Sequence, residues 1–294
     1  MTIKEILDFG RQSLTQAGIE YPGLEAEILL SAILDQDRVY FYTHSQESVD
    51  LKRAETYRSA IQRRCQLEPV AYILGKKEFM GMDFFVNGHV LIPRPDTEPM
   101  VEYLLEYLQG NYPAGAKILD LCTGSGAIGI SIKKYFKQGK VSLSDFSVEA
   151  LAVAKINASQ LVNGELSLYE GDLFAAIPQR ETFEVIVSNP PYISREDMKL
   201  LARDIIEYEP HMALDGGESG LDFYRRIIDE AHLFLEKNGR LALEIGDDQT
   251  DAVIDLLKNN GYEEIETIRD LGGHVRCLTG KLSRHKPGDI NKLG

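Results

Sequence analysis

The sequence contains no tryptophan, only three cysteines, and fewer basic than acidic residues: 32 lysines and arginines against 46 aspartates and glutamates, a formal net charge of -14. Cys65, Cys122 and Cys277 are too few and too widely spaced for a disulfide framework or a Cys-x-x-Cys metal site, which predicts a reducing compartment. None of the six histidines has metal-ligand spacing to a second ligand, so no metal site is assigned. The acidic balance argues against gripping phosphate backbones over a broad face, although a local basic groove remains compatible with it. No apolar run approaches membrane-spanning length, and Met1-Thr2-Ile3-Lys4-Glu5 opens no secretory core. The expectation is a soluble, cytoplasmic protein with no membrane partner. At 294 residues, 44% of them hydrophobic, the chain has room for two domains.

The first 75 residues carry helical signals and no strand signal. Thr2 and Glu5 have capping-box spacing, with Ile3, Leu7, Gly10 and Leu14 on the helical face that follows. Pro22 opens a second helix, and a charged third runs from about Leu51 to Cys65 with Arg53, Arg58, Arg63 and Arg64. Those arginines suit either a solvated face or an acidic partner. Residues 76–95 change to an aromatic and β-branched pattern broken by Asn87-Gly88, which predicts a hairpin linker turning there. A helix is predicted near 98–109. From Lys117 onward strand candidates (118–121, 141–144, 166–169, 185–188, 240–245) alternate with helices near 127–137, 147–162 and 220–237. A helix near 249–259 and strands near 262–268 and 274–281 complete the pattern. This is an α/β class: a doubly wound, mainly parallel sheet with an antiparallel end over residues 96–282. Residues 283–294 read as a mobile tail.

Two loops in that sheet carry chemistry. Asp120-Leu121-Cys122-Thr123-Gly124-Ser125-Gly126 follows the first strand, and Gly124, Gly126 and Gly129 match the G-x-G-x-x-G spacing. Asp145, 19 residues beyond Gly126, ends the second strand, where a carboxylate can accept both ribose hydroxyls. The glycine spacing alone suits a nicotinamide dinucleotide as well as another nucleoside. Asp120 tilts the choice toward S-adenosylmethionine, since it can face a methionine ammonium but would repel a pyrophosphate. Asp172 and Leu173 follow the third strand; Asp172 is either a cap or an acceptor for an adenine edge. The second loop is Asn189-Pro190-Pro191-Tyr192, directly after the apolar strand Val185–Ser188. Its prolines remove two backbone donors, so the carbonyls of Asn189 and Pro190 stay available as acceptors. With the Asn189 side chain and the Tyr192 ring they form a clamp for a planar NH2 group, adenine or amide.

Taken together, Glu68-Pro69-Val70-Ala71-Tyr72-Ile73-Leu74-Gly75, Phe79-Met80-Gly81, Leu91 to Glu98, the glycine loop, Asn189 to Ile193, Glu209-Pro210 with Ala213-Leu214, and Arg269 to His274 resemble the HemK-type protein-(glutamine-N5) methyltransferases. The resemblance spans nearly the whole chain. It implies a seven-stranded Rossmann-like methyltransferase sheet (residues 96–282), a helical substrate-recognition domain (1–75) and a hairpin linker (76–95). The implied reaction moves a methyl group from S-adenosylmethionine, leaving S-adenosylhomocysteine, to the glutamine of the Gly-Gly-Gln motif in peptide-chain release factors, thereby modulating translation termination. Asp120, Cys122, Thr123, Gly124, Ser125, Gly126, Asp145, Asp172, Leu173 and Asn189 would bind the cofactor. Asn189, Pro190 and Tyr192 would carry catalysis and, with Pro191, hold the substrate amide. Phe79, Phe84 and Phe85 are candidates for the glutamine pocket or for core, and Glu244 for structural pairing. Cys122 stands where family members often have glycine, and Leu173 where some carry a larger aromatic. A monomer without nucleic-acid binding is expected. A DNA or RNA amino-methyltransferase acting on adenine shares the Asn-Pro-Pro-Tyr loop and is the alternative.

Overall fold

The structure is a computed structural model that describes residues 1–163 and 166–283. The predicted tail falls outside it except for Ser283, whose N–H and hydroxyl are bound to the Gly261 carbonyl. The chain divides into two units, one of Met1–Lys76 with Ala202–Tyr208 and one of Lys77–Leu201 with the remainder from Glu209.

In the first unit, helix α1 (Ile3–Gln16) starts at the capping box, with Thr2 Oγ1 accepting from the Glu5 N–H and Glu5 accepting from the Thr2 N–H. Helix α2 (Pro22–Leu34) has proline in its first turn. Helix α3 (Arg38–Thr43), absent from the sequence reading, starts where Asp37 accepts from the Tyr40 N–H at 2.8 Å. Helices α4 (Leu51–Cys65) and α5 (Val70–Leu74) follow. Ile6, Leu14, Leu29, Leu30 and Tyr57 are fully buried among them. Two of the four arginines of α4 are engaged within the unit. Arg64 is 7% exposed and pairs with Glu25 at 2.5 Å, and Arg63 pairs with Glu68. A buried guanidinium has to be paired where it lies, so Arg64 serves the fold, while Arg63 holds Glu68 from a partly exposed position. The detached segment Ala202–Tyr208, holding the short helix α9 (Arg203–Tyr208), joins this unit through the Tyr208 hydroxyl, which donates to the Gln66 carbonyl at 2.7 Å.

The second unit begins with the hairpin β1 (Lys76–Phe79) and β2 (Met82–Phe85). Its turn is Met80-Gly81, not Asn87-Gly88, which corrects the expectation. Both turn residues have positive φ (50° and 70°), the twist that a two-residue hairpin needs. The Met80 N–H is held by Glu98 at 2.7 Å and its carbonyl by the Tyr135 hydroxyl at 2.7 Å. Asn87 instead closes a local turn, its side chain accepting from the His89 N–H at 3.0 Å. A 3-10 turn at Pro95–Thr97 leads into α6 (Glu98–Asn111).

The alternation then runs β3 (Lys117–Leu121), α7 (Ala127–Tyr135), β4 (Lys140–Asp145), α8 (Val148–Leu161), β5 (Ser167–Glu170), β6 (Phe183–Ser188), α10 (Asp222–Ala231), β7 (Leu235–Glu244), α11 (Thr250–Asn259), β8 (Tyr262–Arg269) and β9 (Val275–Leu282). The seven strands lie in the order β5-β4-β3-β6-β7-β9-β8, with β9 antiparallel to both neighbours. The helix predicted to reach residue 237 ends at Ala231. Phe183 already pairs with Leu235, and the strand bulges past Asn238, at φ 65°, before Val185 pairs with Arg240. Central strands are buried on both faces: Ile118, Leu119, Val185, Ile186 and Val187 are fully inaccessible, as expected of a parallel sheet covered by helices. Strand order reverses between β3 and β6. Their carboxyl ends therefore diverge into a crevice, the place where open α/β sheets bind ligands.

Candidate active site

At that crevice lies a cavity of about 400 Å³, lined by residues of the second unit. One wall is the glycine loop. Gly124 and Gly126 adopt φ of 55° and 83°, a region that side chains disfavour. A Cβ on Gly124 would meet nothing within 4 Å, so this backbone faces open space. Gly129 serves a different need: a Cβ there would come within 2.3 Å of Leu143, so α7 could not pack as closely on β4. Cys122 has φ 59° and lines the cavity, which explains why glycine suits this position. Burial pushes its thiol up, away from thiolate.

The loop is braced by two carboxylates. Asp120 is fully buried and off the cavity wall; its Oδ2 accepts from Thr123 Oγ1 at 2.5 Å and from the Gly129 N–H at 2.8 Å. Its Oδ1 is buried with no partner among the described residues, and burial carries the carboxyl up to about 7. In this structure Asp120 braces the loop and keeps one spare acceptor behind it. Asp145 does line the cavity. Its Oδ2 accepts from the Gly124 N–H at 2.8 Å and Oδ1 from the Ser147 N–H at 2.9 Å, while burial raises its carboxyl. Thr123 and Ser125 are buried on the same wall; Gly126 turns the chain behind it. Asp172 and Leu173 close the far end. The Asp172 carboxylate makes no cap bond and instead pairs with Arg226 at 2.7 Å, on the same wall. Leu173 is buried at φ 49°.

The opposite wall holds Asn189 and Pro191, with Thr97, Arg94 and Pro93 from the linker and Pro210, Met212 and Ala213 from the later loop. Pro190 is buried and Tyr192 half-buried, and neither lines the cavity. Tyr192 packs against the core and its carbonyl accepts from Gln249 Nε2 at 2.8 Å. The Tyr192 ring is therefore a support for the clamp rather than its cover. The loop is tied down beyond it: the Ile193 N–H donates to Leu214 and its carbonyl accepts from Gly216, which accounts for the Ala213-Leu214 motif. Of the three phenylalanines, Phe79 lines the cavity, Phe84 is core, and Phe85 does neither.

Sequence reading missed Asn157 and Arg226 and gave Glu209 and Glu244 no contact at the site. Asn157 on α8 is fully buried, accepts from the Phe85 N–H at 2.7 Å and donates to the Ser125 carbonyl at 2.9 Å, tying the hairpin to the glycine loop. Glu209, 5% exposed, pairs with Arg94 at 2.5 Å and accepts from the Ile92 N–H at 3.2 Å. Arg226 faces Asp172. Glu244 lies behind Asn189, and the contacts of all four were not legible because their partners are 54 to 147 residues away in sequence. Among the described residues no group of three or more His, Cys, Asp or Glu side chains could hold a metal ion, and no helix is long and apolar enough to cross a membrane.

The donor set fits S-adenosylmethionine on three observations: open space over Gly124, a fixed Asp145 carboxylate on the wall beside it, and the spare Asp120 oxygen under the loop. Among the described residues the arginines that line the cavity, Arg94 and Arg226, are engaged by Glu209 and Asp172.

Residues 5–75 match the PrmC N-terminal domain family and residues 99–221 the methyltransferase small domain family. A release factor glutamine methyltransferase from Clostridium acetobutylicum is 42% identical over 281 residues, covering 95% of this chain and 98% of that protein. One from Geobacter sulfurreducens is 38% identical over 281 residues, covering 96% and 97%. A crystal structure of a methyltransferase from Pyrococcus furiosus aligns with TM-score 0.52 at 20% identity, covering 77% of this chain and 98% of the other, a likeness of fold.

Proposed function

The chain belongs to the release factor glutamine methyltransferase family, and on that premise we propose that it transfers a methyl group from S-adenosylmethionine to the N5 amide nitrogen of the Gly-Gly-Gln glutamine in peptide-chain release factors. The observation that carries this reading is the pairing of walls in one cavity: a glycine loop with Asp145 on one side, the Asn189 amide on the other. S-adenosylmethionine supplies an electrophilic methyl on a sulfonium, which leaves as the neutral thioether. Gly124 would allow its close approach and Gly126 would turn the loop beneath it, Thr123, Ser125 and Cys122 would line its bed, Asp145 would accept from its ribose, and Asp172 with Leu173 would bound its adenine end.

An amide nitrogen is a poor nucleophile because its lone pair is delocalised into the carbonyl. Asn189 Oδ1 accepts from a substrate N–H bond, which orients the nitrogen and lets its lone pair turn toward the methyl. Positioning of this kind contributes on the order of several kcal/mol. Acceptors aimed at the positive charge developing on nitrogen add electrostatic stabilisation. Pro191 stiffens the loop and Tyr192 anchors it. The amide proton leaves to water once the new C–N bond has formed. The helical unit takes part in holding the release factor, a role supported by its match to a domain family of these enzymes.

The test is transfer of labelled methyl from S-adenosylmethionine to a purified, unmethylated release factor. Label is expected in the intact factor and absent from one whose motif glutamine is replaced by alanine; equal labelling of both would overturn the assignment.

A further inference from the structure

A buried carboxyl stands behind the Asn189 wall, and the reaction described above makes no use of it. Glu244 ends β7 and is 3% exposed. Ser188 pairs with Leu243 across β6 and β7, so Asn189 and Glu244 are the next residues out along the two strands. Glu244 Oε2 accepts from Thr97 Oγ1 at 2.5 Å, and Asn189, its neighbour across the strand ends, lies near enough to favour the ionised form of the same carboxyl. Thr97 and Asn189 both line the cavity whereas Glu244 does not. The carboxyl is therefore hidden from the cavity, bonded to one polar group of its wall and adjacent to a second.

We propose that Glu244 is a positioning residue that decides which end of the Asn189 amide faces the cavity. The inference rests on Asn189 being the clamp for the substrate amide. An ionised carboxylate can only accept hydrogen bonds. Thr97 must then donate through its hydroxyl and Asn189 through Nδ2, which leaves Asn189 Oδ1, the acceptor, toward the cavity. A protonated Glu244 carries a donor of its own and no longer forbids the opposite orientation, in which Asn189 presents N–H groups to the N–H groups of the substrate. Repulsion of donor by donor would cost the clamp its purpose.

The surrounding charges make this a device that works near neutrality. Burial is the largest influence and raises the carboxyl to about 7; the Thr97 hydrogen bond, the Arg276 guanidinium and the neighbouring Asn189 oppose it, and Asp96 adds to it. Tyr192, Tyr224 and Cys277 also face the carboxyl, and burial holds all three neutral. A carboxylate kept only to hold Thr97 against β7 would affect stability and leave the pH dependence of turnover unchanged.

The experiment is steady-state methylation of a purified release factor by the full chain between pH 5.5 and 9, with S-adenosylmethionine binding followed separately by calorimetry. Wild-type kcat should fall about tenfold per pH unit below a midpoint near 7 and be level above it. Glu244→Gln should lower kcat at pH 8 by roughly 10- to 100-fold, one positioned hydrogen bond's worth, keep the Kd for S-adenosylmethionine within about twofold, and lose the acid limb. Glu244→Asp should recover part of kcat and keep the limb. Wild-type kcat in Glu244→Gln, or an acid limb unmoved by it, overturns the proposal. If that variant does not fold, Thr97→Val decides: it removes a donor that favours the ionised carboxyl, so the limb must move to higher pH, and a stationary limb overturns the proposal. An Asn189→Ala enzyme with normal kcat would instead sink the clamp itself, a failure that leaves a different signature from loss of the Glu244 effect alone.

Discussion

The two walls of the cavity are built by different means. The glycine-loop wall is made of backbone: positive φ at Cys122, Gly124 and Gly126, N–H groups held by Asp120 and Asp145, and a helix allowed close to its strand by Gly129. The Asn189 wall is made of side chains from separate stretches, with Thr97 bonded to Glu244 and Glu209 to the linker across more than a hundred residues of sequence, and Asn189 set beside Glu244 by strand register. The first wall tolerates little change of size, because its shape is its function. The second tolerates little change of polarity, because each donor there has one acceptor.

That contrast is sharpest at Asn189 itself. Asn189→Ala should lower kcat by roughly 10²- to 10³-fold while the Kd for S-adenosylmethionine stays put, by analogy with the loss of one transition-state hydrogen-bonding group elsewhere; comparable losses in both would mean that the two walls are not separable. Asp145→Ala should do the reverse. Removing a charged acceptor of about 1.5–3 kcal/mol raises the cofactor Kd some 10- to 100-fold by calorimetry, with kcat at saturating cofactor much less affected.

Gly129→Val tests size on the backbone wall. Its Cβ alone would lie 2.3 Å from Leu143 Cδ2 and 3.0 Å from Asp120 Oδ2, both in fully buried residues. Overpacking typically costs about 1–3 kcal/mol, so calorimetric Tm should fall by several degrees, at about 2–4 °C per kcal/mol for a domain of this size.

Titration touches both walls. Asp120 and Glu244 are each raised to about 7 by burial, above the ordinary carboxylate range. An acid whose folded pKa is raised contributes stability that is fully present below its unfolded pKa and is lost as pH rises through the folded one. Tm should therefore decline between about pH 4 and pH 7 from these two groups and then level, while turnover climbs toward the upper end of that window. Asp120→Asn should flatten part of the decline without shifting the turnover profile, which separates the loop brace from the clamp.

The smallest effect is expected at Cys122→Gly. Relief of a left-handed side-chain position, about 1–2 kcal/mol, is offset by about 0.4–1 kcal/mol of added unfolded-state entropy. A Tm gain of no more than a few degrees should result, and a loss would mean that thiol packing outweighs backbone strain.

Local signals carried much of the fold. The capping box at Thr2, proline at the start of α2, and the alternation of buried strands with helices from Lys117 each depend on neighbours within a few residues, and each is where it was expected. The hairpin was misplaced for the same reason, because Asn87-Gly88 is the stronger local turn signal. Met80-Gly81 is selected by Glu98 and Tyr135, which hold the Met80 N–H and carbonyl from α6 and α7. At the site, Gly124, Asp145, Asn189 and Pro191 could be named from spacing and lie on the cavity; Asp120, Pro190 and Tyr192 could be named but stand behind it.

The Asn-Pro-Pro-Tyr loop and the glycine spacing were determined by the sequence alone, since φ preferences and missing N–H groups are properties of the residues themselves. The packing around them was decided by tertiary structure. Burial sets the protonation of Asp120 and Glu244, and strand register puts Glu244 beside Asn189. Desolvation and partner choice depend on which distant segments meet, and no window of neighbouring residues contains that information.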